Sequence, residues 1–161
     1  MATKGTQGIR PGPGDKAPAF SAVTTTGERV KLADFRGRTL VLYFYPKDDT
    51  PGCTAQACSL RDHNAEITAR GAAILGVSAQ DEASHQRFTQ KYNLNFPLIA
   101  DTDNKVARAY GVLGSGLFGI ARSFVGAYER VTFIIGPDGK VAHVIDHPDT
   151  RGHGDEVLRL L

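Results

Sequence analysis

The sequence predicts an α/β domain in which helices flank a central mixed sheet, entered through an N-terminal β-hairpin. Three observations lead there. Residues 39–45 (TLVLYFY) are β-branched, aromatic and apolar throughout, the composition of a strand covered on both faces. A helical pattern follows at once, and strand and helix patterns then alternate as in βαβ units. Late in the chain two strand runs flank residues 136–140 (GPDGK), a hairpin turn signal, so antiparallel strands join the parallel ones.

Taken in order, residues 20–23 and 28–32 form a hairpin around a Thr-Thr-Gly turn. The central strand at 39–45 stops at Pro46, which cannot donate to a ladder. After the loop KDDTPG, residues 53–69 carry helix formers with Ala57, Leu60 and Ile67 on one stripe, and Gly71 closes the helix. Residues 72–79 (AAILGVSA) read as a second buried strand, 84–92 as a helix, 97–100 as a short strand and 104–110 as another helix. Strands at 130–135 and 141–145 make the late hairpin, and a short helix over 155–161 ends the chain. Helices around a sheet of mixed strand direction is the pattern of a thioredoxin-like domain. No internal repeat interrupts it.

The chain has 161 residues, 41% hydrophobic and 22% charged, enough for one domain, placed at 15–161, with a single sizeable core. Nineteen basic residues against seventeen acidic ones leave a formal charge of +2, with neither sign gathered into a block that would track nucleic acid or an anionic membrane. Residues 1–14 (MATKGTQGIRPGPG) are rich in Gly and Pro and lack the apolar run of a secretory signal, so a flexible leader is expected. No stretch has the roughly 18 uninterrupted apolar residues of a spanning helix. The simplest reading is a soluble cytoplasmic protein. In that reducing compartment two cysteines make a poor structural staple, and their proximity in sequence points to chemistry.

A thiol becomes a nucleophile as its thiolate, so the question is what stabilises negative charge on Cys53 or Cys58. Thr50 suits the N-cap and Pro51 the first helical position, placing Cys53 about third, among unpaired backbone N–H groups at the positive end of the helix dipole. Cys58 lies more than a turn deeper. At 100° per residue Cys53 shares the buried stripe with Ala57 and Leu60, whereas Cys58 shares a face with Arg61 and Asp62 and looks toward solvent.

Two Cα atoms at i and i+5 on a helix lie roughly 8.6 Å apart and about 140° round the axis. A disulfide needs less than about 7 Å. If these cysteines bond each other, the first turns of the helix must unwind, and Gly52 with its Pro-rich entry makes that end easy to release.

The stretch Pro46-Lys-Asp-Asp-Thr50-Pro-Gly-Cys53, followed by Thr-Ala-Gln-Ala-Cys58, resembles the peroxidatic motif of the peroxiredoxins. Its Cys-x4-Cys form is similar to the peroxiredoxin Q subfamily, also called bacterioferritin comigratory protein. The resemblance implies a thioredoxin-like fold and a thiol-dependent peroxidase that reduces hydrogen peroxide and organic hydroperoxides. It implies that Cys53 is the peroxidatic cysteine, that Thr50 hydrogen-bonds the peroxide or the sulfur, that Pro46 shields the site, and that Cys58 resolves the sulfenic acid. It also implies an arginine from a distant strand, and Arg130, opening RVTFIIG, stands where the pattern puts it. That guanidinium would hold the thiolate ionised and steady charge on the departing oxygen. Thioredoxin is the implied reductant and a monomer the implied state; no bound cofactor or metal is required. Two other modes fit the same residues: a single-cysteine peroxidase using an external resolving thiol, and a non-enzymatic redox-sensing or holdase module.

Competing readings of individual residues are bland. Two cysteines in one helix can be an incidental buried pair, and Arg130 a surface charge at a strand end. Cys53, Cys58 and His63 are evenly spaced, but five-residue steps point them to about 0°, 140° and 280° round a helix, so they do not share one tetrahedral ion. His85, His143, His147 and His153 form no ligand pattern and are expected to be solvated. Residues 114–119 (GSGLFG) match the regular expression of a dinucleotide loop but follow a helix instead of a strand. Leu117, Phe118, Ile120, Phe124 and Val125 there would line a pocket for organic peroxides or form a contact surface.

Overall fold

A computed structural model describes residues 8–114 and 128–161. The element order matches the expected alternation. A two-stranded antiparallel ribbon, β1 (Ser21–Val23) and β2 (Arg29–Lys31), leads through a 3-10 turn to β3 (Thr39–Phe44). Then come α1 (Pro51–Ala69), β4 (Ala72–Ser78), α2 (Glu82–Tyr92), β5 (Leu98–Ala100), α3 (Lys105–Ala109), β6 (Val131–Ile135), β7 (Val141–Ile145) and α4 (His153–Arg159). The five-stranded sheet runs β5-β4-β3-β6-β7. Strands β3, β4 and β5 are parallel, and β6 and β7 are antiparallel additions on the other side of β3.

Strand β3 is apolar at every position because it lies in the middle and both of its faces are covered. Leu40, Leu42 and Phe44 pack with Phe20, Phe35, Tyr110 and Phe133 in one core. Val41 and Tyr43, with Tyr45 just beyond the strand, face the other way and meet Cys53, Ala57, Leu60 and Ile67 of α1, Phe88 of α2 and Val157 of α4. Gly76 of β4 makes room in this second core: a Cβ there would lie 2.9 Å from the Tyr43 ring and 2.7 Å from Leu98 Cδ2. Helix α1 ends where Gly71, at φ +80°, turns the chain into β4.

The leader expected over residues 1–14 is attached to the domain from Gly8 onward. Gly8 N–H donates to Arg108 O at 2.7 Å, and the Arg10 guanidinium reaches Gly111 O, Glu129 and Asp146. A Gly/Pro-rich composition predicted freedom, but Arg10 finds a carbonyl and two carboxylates that lie more than a hundred positions away. The dinucleotide-like run and its apolar residues Leu117, Phe118, Ile120, Phe124 and Val125 fall mainly at 115–127, outside the described residues. No helix among the described residues is long and apolar enough to cross a membrane.

Candidate active site

The site is assembled where β3 hands the chain to α1. Pro46, half-buried, follows the strand, and residues 47–50 turn into the helix. Thr50 is the N-cap residue by backbone, with Pro51 and Gly52 the first two helical positions and Cys53 the third. The first intrahelical bond runs from Thr54 N–H to Thr50 O at 2.8 Å. The N–H groups of Gly52 and Cys53 precede it and point out of the helix start, with the positive end of the dipole.

The Thr50 side chain departs from the expected cap. Its hydroxyl donates to Lys47 O at 2.9 Å and makes no bond to the helix N–H groups. Turned back on the loop, Oγ1 keeps its lone pairs free to accept.

Cys53 is buried at 1% exposure, and Cys58 is half-buried; both are free thiols. The buried positions Cys53, Gln56, Ala57, Ser59, Leu60 and Ile67 lie on one side of the helix, so α1 turns Cys53 to the sheet and Cys58 away from it. Both cysteines lie within one continuous helix, five residues apart, which keeps them outside disulfide range in this state.

Arg130 arrives from the residue before β6. Its Nη2 donates toward Cys53 Sγ at 3.4 Å and its Nη1 to Gln56 Oε1 at 2.7 Å. The sheet explains the meeting: Phe44 pairs with Val131, so Arg130 lies level with the end of β3, where α1 begins. Gly52 leaves space for the guanidinium, since a Cβ there would come within 3.2 Å of Arg130 Nη2. Cys53 and Arg130 thus meet at one helix start, capped by Thr50 with Pro46 earlier in the same loop, and Cys58 is held more than a turn further along α1.

Several polar residues of this region escaped the sequence reading. Gln56 is wholly buried and bonds Arg130; its signal is a polar residue three places after Cys53 on a largely apolar stripe. His85 and His153, expected in solvent, are both fully buried. His85 lies between Asp48 and Ile99 O, and His153 between Thr132 Oγ1 and Glu156, all within 2.8 Å. Each finds two hydrogen-bond partners inside the protein, which removes the cost that favours a solvated imidazole. Burial pushes the His153 imidazole below its ordinary value, so beneath Arg130 it adds no second positive charge near neutral pH. Tyr43, stacked on Tyr45 at 5.4 Å, is likewise held neutral, chiefly by burial and then by the nearby Cys53 and Asp48. Among the described residues no three of His, Cys, Asp and Glu gather closely enough to hold a metal ion.

A thiol at a helix start with an arginine donor on its sulfur is a site for nucleophilic sulfur chemistry, and comparison with known proteins says which. Residues 13–144 match the model of the AhpC/TSA family. The chain belongs to this family. Its place within it follows from close relatives: it is 43% identical over 148 residues to peroxiredoxin Bcp of Escherichia coli K12, covering 92% of this chain and 94% of that one. Over 149 residues it is 39% identical to the chloroplastic peroxiredoxin Q of Suaeda salsa, covering 92% of this chain and 66% of the relative. Among solved structures, the bacterioferritin comigratory protein of Xanthomonas campestris superposes with a TM-score of 0.79 at 34% identity, over 87% of this chain and 88% of that one. A mutant peroxiredoxin Q of Xylella fastidiosa gives 0.85 at 29% identity, over 94% and 96%. The fold of this peroxiredoxin is therefore thioredoxin-like, as the element order predicted, and the enzyme is a thiol peroxidase.

Proposed function

We propose that this peroxiredoxin reduces hydrogen peroxide and organic hydroperoxides through Cys53, resolves the product with Cys58, and is recycled by thioredoxin or a similar dithiol. The observation that carries the reading is the 3.4 Å approach of Arg130 Nη2 to Cys53 Sγ at the third position of α1. A guanidinium and the open N–H groups of a helix start stabilise a thiolate more than a thiol. They also face the place where charge moves during attack. Organic hydroperoxides are included because the Xanthomonas relative is described by its alkyl peroxide reduction activity.

In the first step the Cys53 thiolate attacks one oxygen of ROOH. The S–O bond forms as the O–O bond breaks, and the departing RO⁻ takes a proton to leave as alcohol or water. Thr50 Oγ1, whose hydrogen is spent on Lys47 O, accepts from the peroxide hydroxyl, while Arg130 faces the oxygen that gains charge. Pro46, without an N–H, covers the site against water. In the second step the Cys58 thiol displaces hydroxide from the Cys53 sulfenic acid, releasing water and forming the disulfide. Because the two residues stand five apart on one helix, this step requires the start of α1 to unwind. An external dithiol then returns both thiols.

Peroxide consumption with a thioredoxin system, measured for wild type, Cys53→Ser and Cys58→Ser, tests the cycle. Both variants should be inactive. Activity lost only in Cys53→Ser would replace the internal disulfide with an external resolving thiol. Full turnover without Cys53 would overturn the assignment altogether.

A further inference from the structure

The loop between Pro46 and Pro51 is fastened at every residue. Lys47 O accepts from Thr50, and Asp49, held at φ 57°, receives Lys91 Nζ at 2.8 Å and Tyr92 OH at 2.7 Å from the end of α2. Asp48 is buried deeper. Its N–H donates to Gln80 Oε1 at 3.0 Å. Its carboxylate takes Tyr45 OH at 2.6 Å on Oδ1, and Ser84 Oγ at 2.7 Å and His85 Nδ1 at 2.6 Å on Oδ2. The other imidazole nitrogen, Nε2, meets Ile99 O of β5 at 2.8 Å.

Both imidazole nitrogens of His85 thus meet oxygen partners, Asp48 Oδ2 on one side and Ile99 O on the other, so the ring is held at both ends. The pair is almost fully withdrawn from water, with the side chains 0% and 4% exposed. Removing one partner of such a pair is far more damaging than breaking an exposed one like Asp49–Lys91. The hydrogen bonds of Asp48 and His85 end on Tyr45 just past β3, on α2, on β5 and on Gln80, and none of them reaches Cys53 or Arg130. The connection from Asp48 to Cys53 is the backbone through Thr50, two residues on, which is the N-cap and accepts the first bond of α1.

We propose that Asp48 and His85 are positioning residues that latch this loop to α2 and β5, and so set how often the first turn of α1 opens. In the oxidised enzyme that opening decides whether Cys53 sulfenic acid meets Cys58 or a second peroxide. This last consequence rests on Cys58 being the resolving thiol; the latch itself acts on the reduced chain.

Amide hydrogen exchange of the reduced, full-length protein tests the latch. Asp48→Ala should raise exchange at residues 50–58 roughly tenfold or more while residues 131–135 keep their protection. Asp48→Asn should restore it: the amide oxygen still accepts from Tyr45, and the amide N–H serves Nδ1 of a neutral His85 whose Nε2–H still reaches Ile99. Unchanged exchange at 50–58 in Asp48→Ala, or an equal rise along β6, would overturn the proposal. Mass measurement after one equivalent and then excess peroxide reads the consequence. In Asp48→Ala the loss of about 2 Da should come several-fold sooner, and the gain of about 32 Da from sulfinic acid should shrink. Raised exchange with no 2 Da loss in either protein leaves the latch standing and removes Cys58 from the cycle. A 2 Da loss that keeps its wild-type rate, with exchange unmoved, removes the latch.

Discussion

Arg130 donates toward the sulfur of Cys53 at 3.4 Å across 77 positions of sequence, and the same guanidinium is braced by Gln56 one turn further along α1. In the proposed mechanism, charge that develops at the sulfur or on a departing oxygen would meet a donor already held in place, with little reorganisation at the moment of reaction.

Replacing Arg130 by Ala should therefore lower kcat/KM for peroxide by roughly 10²- to 10³-fold, the range seen when one donor to a developing anion is removed. Steady-state kinetics beside a circular dichroism melt separate this from unfolding. A fall of less than about threefold would show that the donor is not used in the transition state.

Gln56→Leu removes the acceptor on Arg130 Nη1 and leaves a half-buried guanidinium donor unpaired. We expect kcat/KM to fall about tenfold. Gln56→Glu should recover most of it, because a carboxylate accepts the same bond more strongly. Equal losses in both variants would point to packing instead of orientation.

Gly154 lets α4 cross α1 closely. A Cβ there would lie 2.7 Å from Ser59 O and closer still to the His63 ring, while Gly154 N–H donates to Ser59 Oγ at 2.9 Å. Gly154→Ala should destabilise the fold by about 1–3 kcal/mol, as overpacking does. The urea midpoint reads it, and an unchanged midpoint would mean that the helices separate without cost.

His153 supplies a pH dependence. Burial lowers its pKa in the folded state below the ordinary 6.5, so on acidification the unfolded chain takes up the proton first. The contribution of the neutral, buried imidazole is complete above 6.5 and is lost as the pH falls from there to the lowered folded-state value. His153→Gln should lose less stability than wild type between pH 8 and 5.5, by chemical denaturation at each pH. Parallel curves would show that His153 does not titrate differently on folding.

The order of strands and helices, the two-sided burial of β3 and the inward turn of Cys53 were all legible in the chain, because each depends on periodicity and caps within a single element. The site was legible in half. Pro46, Thr50, Cys53 and Cys58 belong to one continuous stretch, so their nearness follows from the backbone that joins them. Arg130 came only through resemblance: its place depends on β6 pairing beside β3, and no local pattern encodes a strand's neighbour. The burial of the histidines is hidden from the sequence for the same reason. An imidazole is buried or solvated according to its partners, and those of His85 lie on the Cys53 loop and on β5, while those of His153 lie on β6 and within α4. Thr50 shows the limit even within a motif, for its residue type predicted a capping hydroxyl and the fold turned that hydroxyl to Lys47. Short-range geometry is written into successive residues, whereas the pairing of distant polar groups exists only once the sheet has brought them together.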